Sequence, residues 1–184
     1  VRDFYGIGGA GMNGTVDMLL KQGAEAGIRR YLILPVAVNP NRVHSINDFI
    51  VQQLQLHQEF VGFGTVHAAM DGLMDETERI LSLGLRGIKM HPDTQAFSID
   101  DPRLFPVYEH IQGRIPVILH MGDHRYDYSQ PAKLRRVLGT RKIGHSGTLD
   151  PMATGVLPVF AGQAARAVDM QQNHDKTYVA TILL

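Results

Sequence analysis

The sequence predicts an α/β fold: about four βα units of a parallel sheet, followed by a shorter segment of different architecture. Three observations predict it. Four short apolar runs rich in β-forming residues recur through the front of the chain. Amphipathic stretches of helical period lie between them. After Leu138 both periods stop, and Gly, Ser, Thr and Pro take over.

The first helix is expected over Thr15–Ala26, where Val16, Leu19, Leu20 and Gly23 share one face. The first strand follows as Tyr31–Val38 (YLILPVAV). A helix over Ser45–His57 aligns Ile46, Phe49, Ile50 and Leu54, and the second strand is Phe60–His67 (FVGFGTVH). A helix over Asp75–Leu83, a strand over Gly87–His91, a helix over Leu104–Gln112 and a strand over Pro116–His120 continue the alternation. The strand runs alternate little between polar and apolar, as strands buried on both faces do. Gly27, Gly84 and Gly113 stand where helix C-caps are expected. The runs begin at Tyr31, Phe60, Gly87 and Pro116, so the unit is roughly 27 to 29 residues long, which suits a (β/α)8 barrel or a doubly wound sheet.

Composition narrows the function classes. With 184 residues, 44% of them hydrophobic, the chain can bury a core of one domain plus a small appendage. No apolar run approaches the roughly 20 residues of a membrane span, and VRDFYGIGGAGMNG lacks the layout of a signal peptide. The absence of Cys excludes disulfides, thiolate metal sites and a Cys nucleophile, and suits a cytoplasmic protein. Lys+Arg and Asp+Glu are both 18, so overall charge gives no argument for nucleic acid. The stretch from Gln130 to His145 differs: it carries Lys133, Arg135, Arg136, Arg141 and Lys142 and no acid. It reads as a solvated helix face or as a phosphate-contacting one. Gly6–Gly11 matches G-x-G-x-x-G, yet only VRDFY precedes it and the next strand ends without an acid, so a dinucleotide site is not expected.

His67, His91 and His120 each close a predicted parallel strand. That end of an α/β barrel carries the active site, because its loops converge on a rigid ring of strands. Neutral imidazoles there suit Zn²⁺ or a similar ion, with Asp123 as an acid, a base or a supporting partner.

The string GLRGIKMHPDTQAFSIDDPRLFPVYEHIQGRIPVILHMGD, with GIRRYLILPVAVNP before it, resembles the amidohydrolase-related family of metal-dependent hydrolases and decarboxylases. The resemblance covers about residues 13 to 138 and implies a partial (β/α)8 TIM-barrel acting on a small-molecule substrate. It matches His120 to the metal-ligand His of the fifth strand, and Lys89 and His91 to the fourth-strand motif, so a divalent, Zn-like metal is implied at His120 and His91. The family's H-x-H pair occurs nowhere in this chain, and its later ligands on the sixth and eighth strands are not reached. One matched imidazole falls short of the three protein ligands a catalytic ion takes, and four strands leave open sheet edges that invite association.

Behind it, RKIGHSGTLDPMATGVLPV and HDKTYVATILL resemble the two signatures of TruB-type tRNA pseudouridine synthases, over about residues 132 to 184. The resemblance implies a fragment of the α+β pseudouridine synthase catalytic domain. It implies isomerisation of a T-loop uridine to pseudouridine in tRNA, with no cofactor and no membrane. Asp150 matches the catalytic Asp, Tyr178 the aromatic that stacks on the flipped base, and His145 a residue that holds the rearranged loop. Lys142, Gly147, Thr148, Leu149 and Lys176 match the substrate-binding surroundings. The family's opening strand, its Tyr-x-Arg motif and its C-terminal RNA-binding module are not found.

The sequence is therefore read as composite: residues 1–132 from a hydrolase and 133–184 from a synthase. The Lys133–Leu138 helix is shared by both patterns and marks the seam of a gene fusion or assembly product. The first residue is Val and the last lie inside a strand pattern, which reads as two cut ends. An inactive product is the third reading, beside hydrolase and synthase.

Overall fold

The computed structural model describes residues 14–123, 125–139, 143–145 and 159–161. The chain divides into two units at Lys133/Leu134.

In the first unit, helix α1 (Val16–Glu25) is opened by Thr15, whose hydroxyl accepts from Met18 N–H at 3.3 Å. Strand β1 (Tyr31–Ile33) follows. It is far shorter than the apolar run, because Pro35 has no N–H to give a ladder. Helix α2 (Val43–Leu56) leads to β2 (Phe60–Gly62) and β3 (Gly64–Thr65). Helix α3 (Leu73–Ser82), β4 (Ile88–Met90), the single-turn α4 (Pro92–Gln95), α5 (Phe105–Ile111) and β5 (Val117–Leu119) complete the unit.

All pairings in this unit are parallel: β1 with β2, β3 with β4, and β4 with β5. The run expected as one strand over Phe60–His67 is divided at Phe63. Its first half pairs with β1, where Phe63 N–H reaches Ile33 C=O at 3.0 Å. Its second half pairs with β4, where Gly64 N–H reaches Gly87 C=O at 2.8 Å. Strand order thus follows chain order, with helices as crossovers. Mixed α/β structure with small parallel sheets is what the sequence led one to expect; a closed barrel is not observed, the described sheets having two, three and two strands.

Gly27, Gly84 and Gly113 all take φ near +73 to +74°, the left-handed conformation that ends helices and is open to glycine at least strain. The apolar faces are buried unevenly. On α2 the buried line is Val43, Asn47 and Ile50, while Phe49 stays 49% exposed. On α1 only Gly23 is buried and Leu19 is exposed. The core gathers Ile50, Val66, Ile80, Ile88, Met90 and Val107 between sheet and helices.

A polar network crosses this core. Asn47 Oδ1 accepts from Thr65 N–H at 2.9 Å, and its Nδ2 donates to Thr65 C=O at 3.0 Å and Glu76 Oε1 at 2.6 Å. Glu76, fully buried, is forked by Arg79 and contacted by His44. One side-chain pair thus fixes α2 and α3 to β3.

In the second unit, α6 (Leu134–Val137) is a single turn, and β6 (Ile143–His145) pairs antiparallel with β7 (Val159–Ala161), His145 opposite Val159. The helix expected over Ala164–Met170 and the strand over Thr177–Leu184 lie outside the described residues. No helix among the described residues is long and apolar enough to cross a membrane.

Candidate functional site

Because β3, β4 and β5 are parallel, the residues that follow them emerge on one edge of the sheet. His67, His91 and His120 do so, but only two of them meet. The His91 and His120 rings stack with centroids 4.0 Å apart and planes 16° from parallel. His67 turns aside: its ring stands edge-on to Phe97 at 5.4 Å, and its Nδ1 accepts from Ala69 N–H at 3.1 Å.

Burial disfavours charge on all three rings. His91 is pushed down to about 3 by burial, then by His120 and Lys89 beside it. His120 is lowered by burial and by Lys89, against the pull of Asp93. His67 is lowered chiefly by burial. Both shifts favour the uncharged imidazole.

Two charged groups share this edge. Lys89, in the middle of β4, is buried, which lowers its ammonium to about 8 against the opposing effect of Asp93. Asp93 lies on α4 and is also buried. Its carboxylate accepts from the Ser129 hydroxyl and a backbone N–H of Asp123, yet burial outweighs both and raises it. Ser129 in turn accepts from Gly122 N–H at 2.9 Å, so the chain after β5 is tied back onto α4.

Gln95 sets the shape of the edge. Its Oε1 accepts from His91 N–H at 2.7 Å, and its Nε2 donates to the carbonyls of Ala37 and Val66, both at 2.9 Å. One buried amide thereby joins the chain leaving β1, β3 and β4. Asp93, Gln95 and Ser129 were not singled out from the sequence. The signal for the first two was the string His91-Pro92-Asp93-Thr94-Gln95, where Pro at the first helical position announces a turn of helix.

The donor set does not fit a catalytic divalent ion. Among the described residues, no three His, Cys, Asp or Glu side chains are placed to hold a metal, and a catalytic zinc takes three protein ligands. A metal lies in the plane of an imidazole that binds it. An ion in the plane of one stacked ring falls well outside the plane of the other. Asp123, expected as acid, base or partner, spends its carboxylate on Arg125, with contacts from 2.6 to 3.1 Å. The pairing of His91 with His120 is thus observed; a metal-binding geometry between them is not.

Of the residues matched to the synthase pattern, His145 has its backbone in β6. Lys142, Gly147, Thr148, Leu149, Asp150, Lys176 and Tyr178 lie outside the described residues. Of the basic stretch, Arg135 and Arg136 sit on α6 and are exposed, while Lys133 pairs with Asp127 at 3.7 Å.

Comparison with known proteins bears on this second unit. The model of the TruB family pseudouridylate synthase N-terminal domain matches residues 135–184. The tRNA pseudouridine synthase B of Streptococcus pneumoniae serotype 2 is 54% identical over 52 residues, covering 28% of this chain and 18% of that protein. The synthase of Corynebacterium jeikeium is 57% identical over 53 residues, covering 29% and 17%. That of Thermobifida fusca is 55% identical over 53 residues, covering 29% and 18%. The chain thus spans less than a fifth of the length of these relatives. No solved structure matches.

The back of the chain is therefore similar to TruB-type synthases, as its motifs implied. The amidohydrolase resemblance of the front gains no support from these matches, which lie in the back segment.

Proposed function

We propose that residues 133–184 form the catalytic segment of a tRNA uridine-to-pseudouridine isomerase, with Asp150 as its essential carboxylate. The observation that carries this reading is the family match over residues 135–184, a span that contains both Asp150 and Tyr178. The isomerisation detaches uracil from its ribose and rejoins it through carbon, with no net gain or loss of atoms, and the TruB resemblance implies that it runs without a cofactor. The target base has to leave the stack first. Asp150 serves as nucleophile or acid/base. Tyr178 offers a π-face to the flipped base, worth about 1–3 kcal/mol. His145, Gly147, Thr148 and Leu149 shape the loop around it, and Lys142 and Lys176 face the RNA. tRNA is the partner, and a cytoplasmic location goes with this reading.

The test is tritium release from tRNA labelled at uridine C5, under single-turnover conditions with excess protein. Release is expected from the intact chain and not from Asp150→Asn. Silence from the intact chain would leave the inactive composite as the better reading.

A second reading concerns residues 1–132 as four βα units of a hydrolase barrel acting on a small molecule. It is favoured by the convergence of Lys89, His91, Asp93 and His120 on one strand edge. Hydrolysis of p-nitrophenyl acetate that falls in His120→Asn would support it; equal rates in both proteins would remove it.

A further inference from the structure

We infer that the strand-edge cluster of Lys89, His91, Asp93 and His120 excludes divalent cations and is built around its own buried ammonium. Four observations meet here. The two imidazoles stack at 4.0 Å with nearly parallel planes, so their in-plane lone pairs do not converge on one point. Lys89 is 6% exposed and already supplies a positive charge beside both rings. Adding a dication next to a desolvated ammonium is strongly unfavourable where the effective dielectric is low. Asp93, whose carboxylate acts on His120, is engaged by the Ser129 hydroxyl and an Asp123 backbone N–H. Asp123 itself is forked by Arg125.

The neighbouring elements confirm the arrangement as a packed unit. All four residues of α4 are buried. Gln95 holds the His91 backbone in place by its 2.7 Å bond. Rotating either ring toward a shared ion would break the stack without gaining a third donor among the described residues. The cluster belongs to the first unit and takes no residue from the synthase-like segment.

The experiment uses the full chain, stripped with EDTA, equilibrated with excess ZnCl₂ and desalted. Retained zinc is measured by mass spectrometry for wild type and for the His91→Asn/His120→Asn double variant. Both are expected to retain the same amount. One extra equivalent in the wild type would overturn the inference. Should the double variant fail to fold, long-range ¹H–¹⁵N imidazole spectra of the wild type decide without it. The His91 and His120 ring nitrogens are expected to be unmoved by Zn²⁺. A metal-induced shift of both would overturn the inference equally.

Discussion

Replacing Asn47 by Ala tests whether a single buried amide holds two helices to the sheet. Asn47 and Thr65 are both fully buried. The substitution strips the acceptor from Thr65 N–H, held at 2.9 Å, and donors from Thr65 C=O at 3.0 Å and Glu76 Oε1 at 2.6 Å. A buried polar group left unsatisfied costs about 1–3 kcal/mol, more where a charge is involved. Partial relaxation and entering water recover some of this, so we expect a loss of about 3 kcal/mol in urea unfolding. Against a total stability of about 5–15 kcal/mol, that is a large fraction. Amide hydrogen exchange gives the local readout: Thr65 N–H should lose protection more than the Ile88 amide, which bonds to Pro116 C=O. A loss below about 1 kcal/mol, the worth of one ordinary hydrogen bond, would refute the reasoning.

Three further outcomes follow from the same structure. Burial raises the Glu76 carboxyl, but Arg79 and Asn47 bind its ionised form and the net direction is down. The unfolded state then binds more protons in acid, so this stability is present above the unfolded pKa of about 4.3 and drains as pH falls below it; urea titrations from pH 6 to 3 should show a shallower loss in Glu76→Gln than in wild type. Gln95→Ala unties the carbonyls of Ala37 and Val66 and the N–H of His91; the expected cost is about 2–4 kcal/mol, and an unchanged melting temperature would contradict it. Gly87→Ala would drive its Cβ into the Phe63 ring; a rigid ring yields at about 1–3 kcal/mol, seen as a lowered melting temperature.

The alternation of strands and helices was legible because each carries its own period. Ile88 to Met90 form β4 inside the Gly87–His91 run, and α3 occupies most of Asp75–Leu83. Strand extents were not legible. The Tyr31–Val38 run yields a ladder of three residues, since Pro35 interrupts donation. The division at Phe63 depends on which neighbour each half of the run faces. For the site, His91 and His120 were found from their position at strand ends. Their stacking, the exclusion of His67 by Phe97 and the engagement of Asp93 by Ser129 were not. Ser129 lies 36 residues from Asp93, and no local pattern announces such a partner.

The sequence by itself determined the order of elements through Leu119, the parallel character of the front and the change of composition after Leu138. These follow from short-range periodicity and from strings of residues that keep their identity wherever they fold. Tertiary structure alone decided which imidazoles share a face, which carboxylates are spent on neighbours, and that Lys89 brings its charge among them. Such facts depend on distances between segments far apart in the chain, and desolvation and lone-pair direction are properties of that packed arrangement rather than of any residue in it.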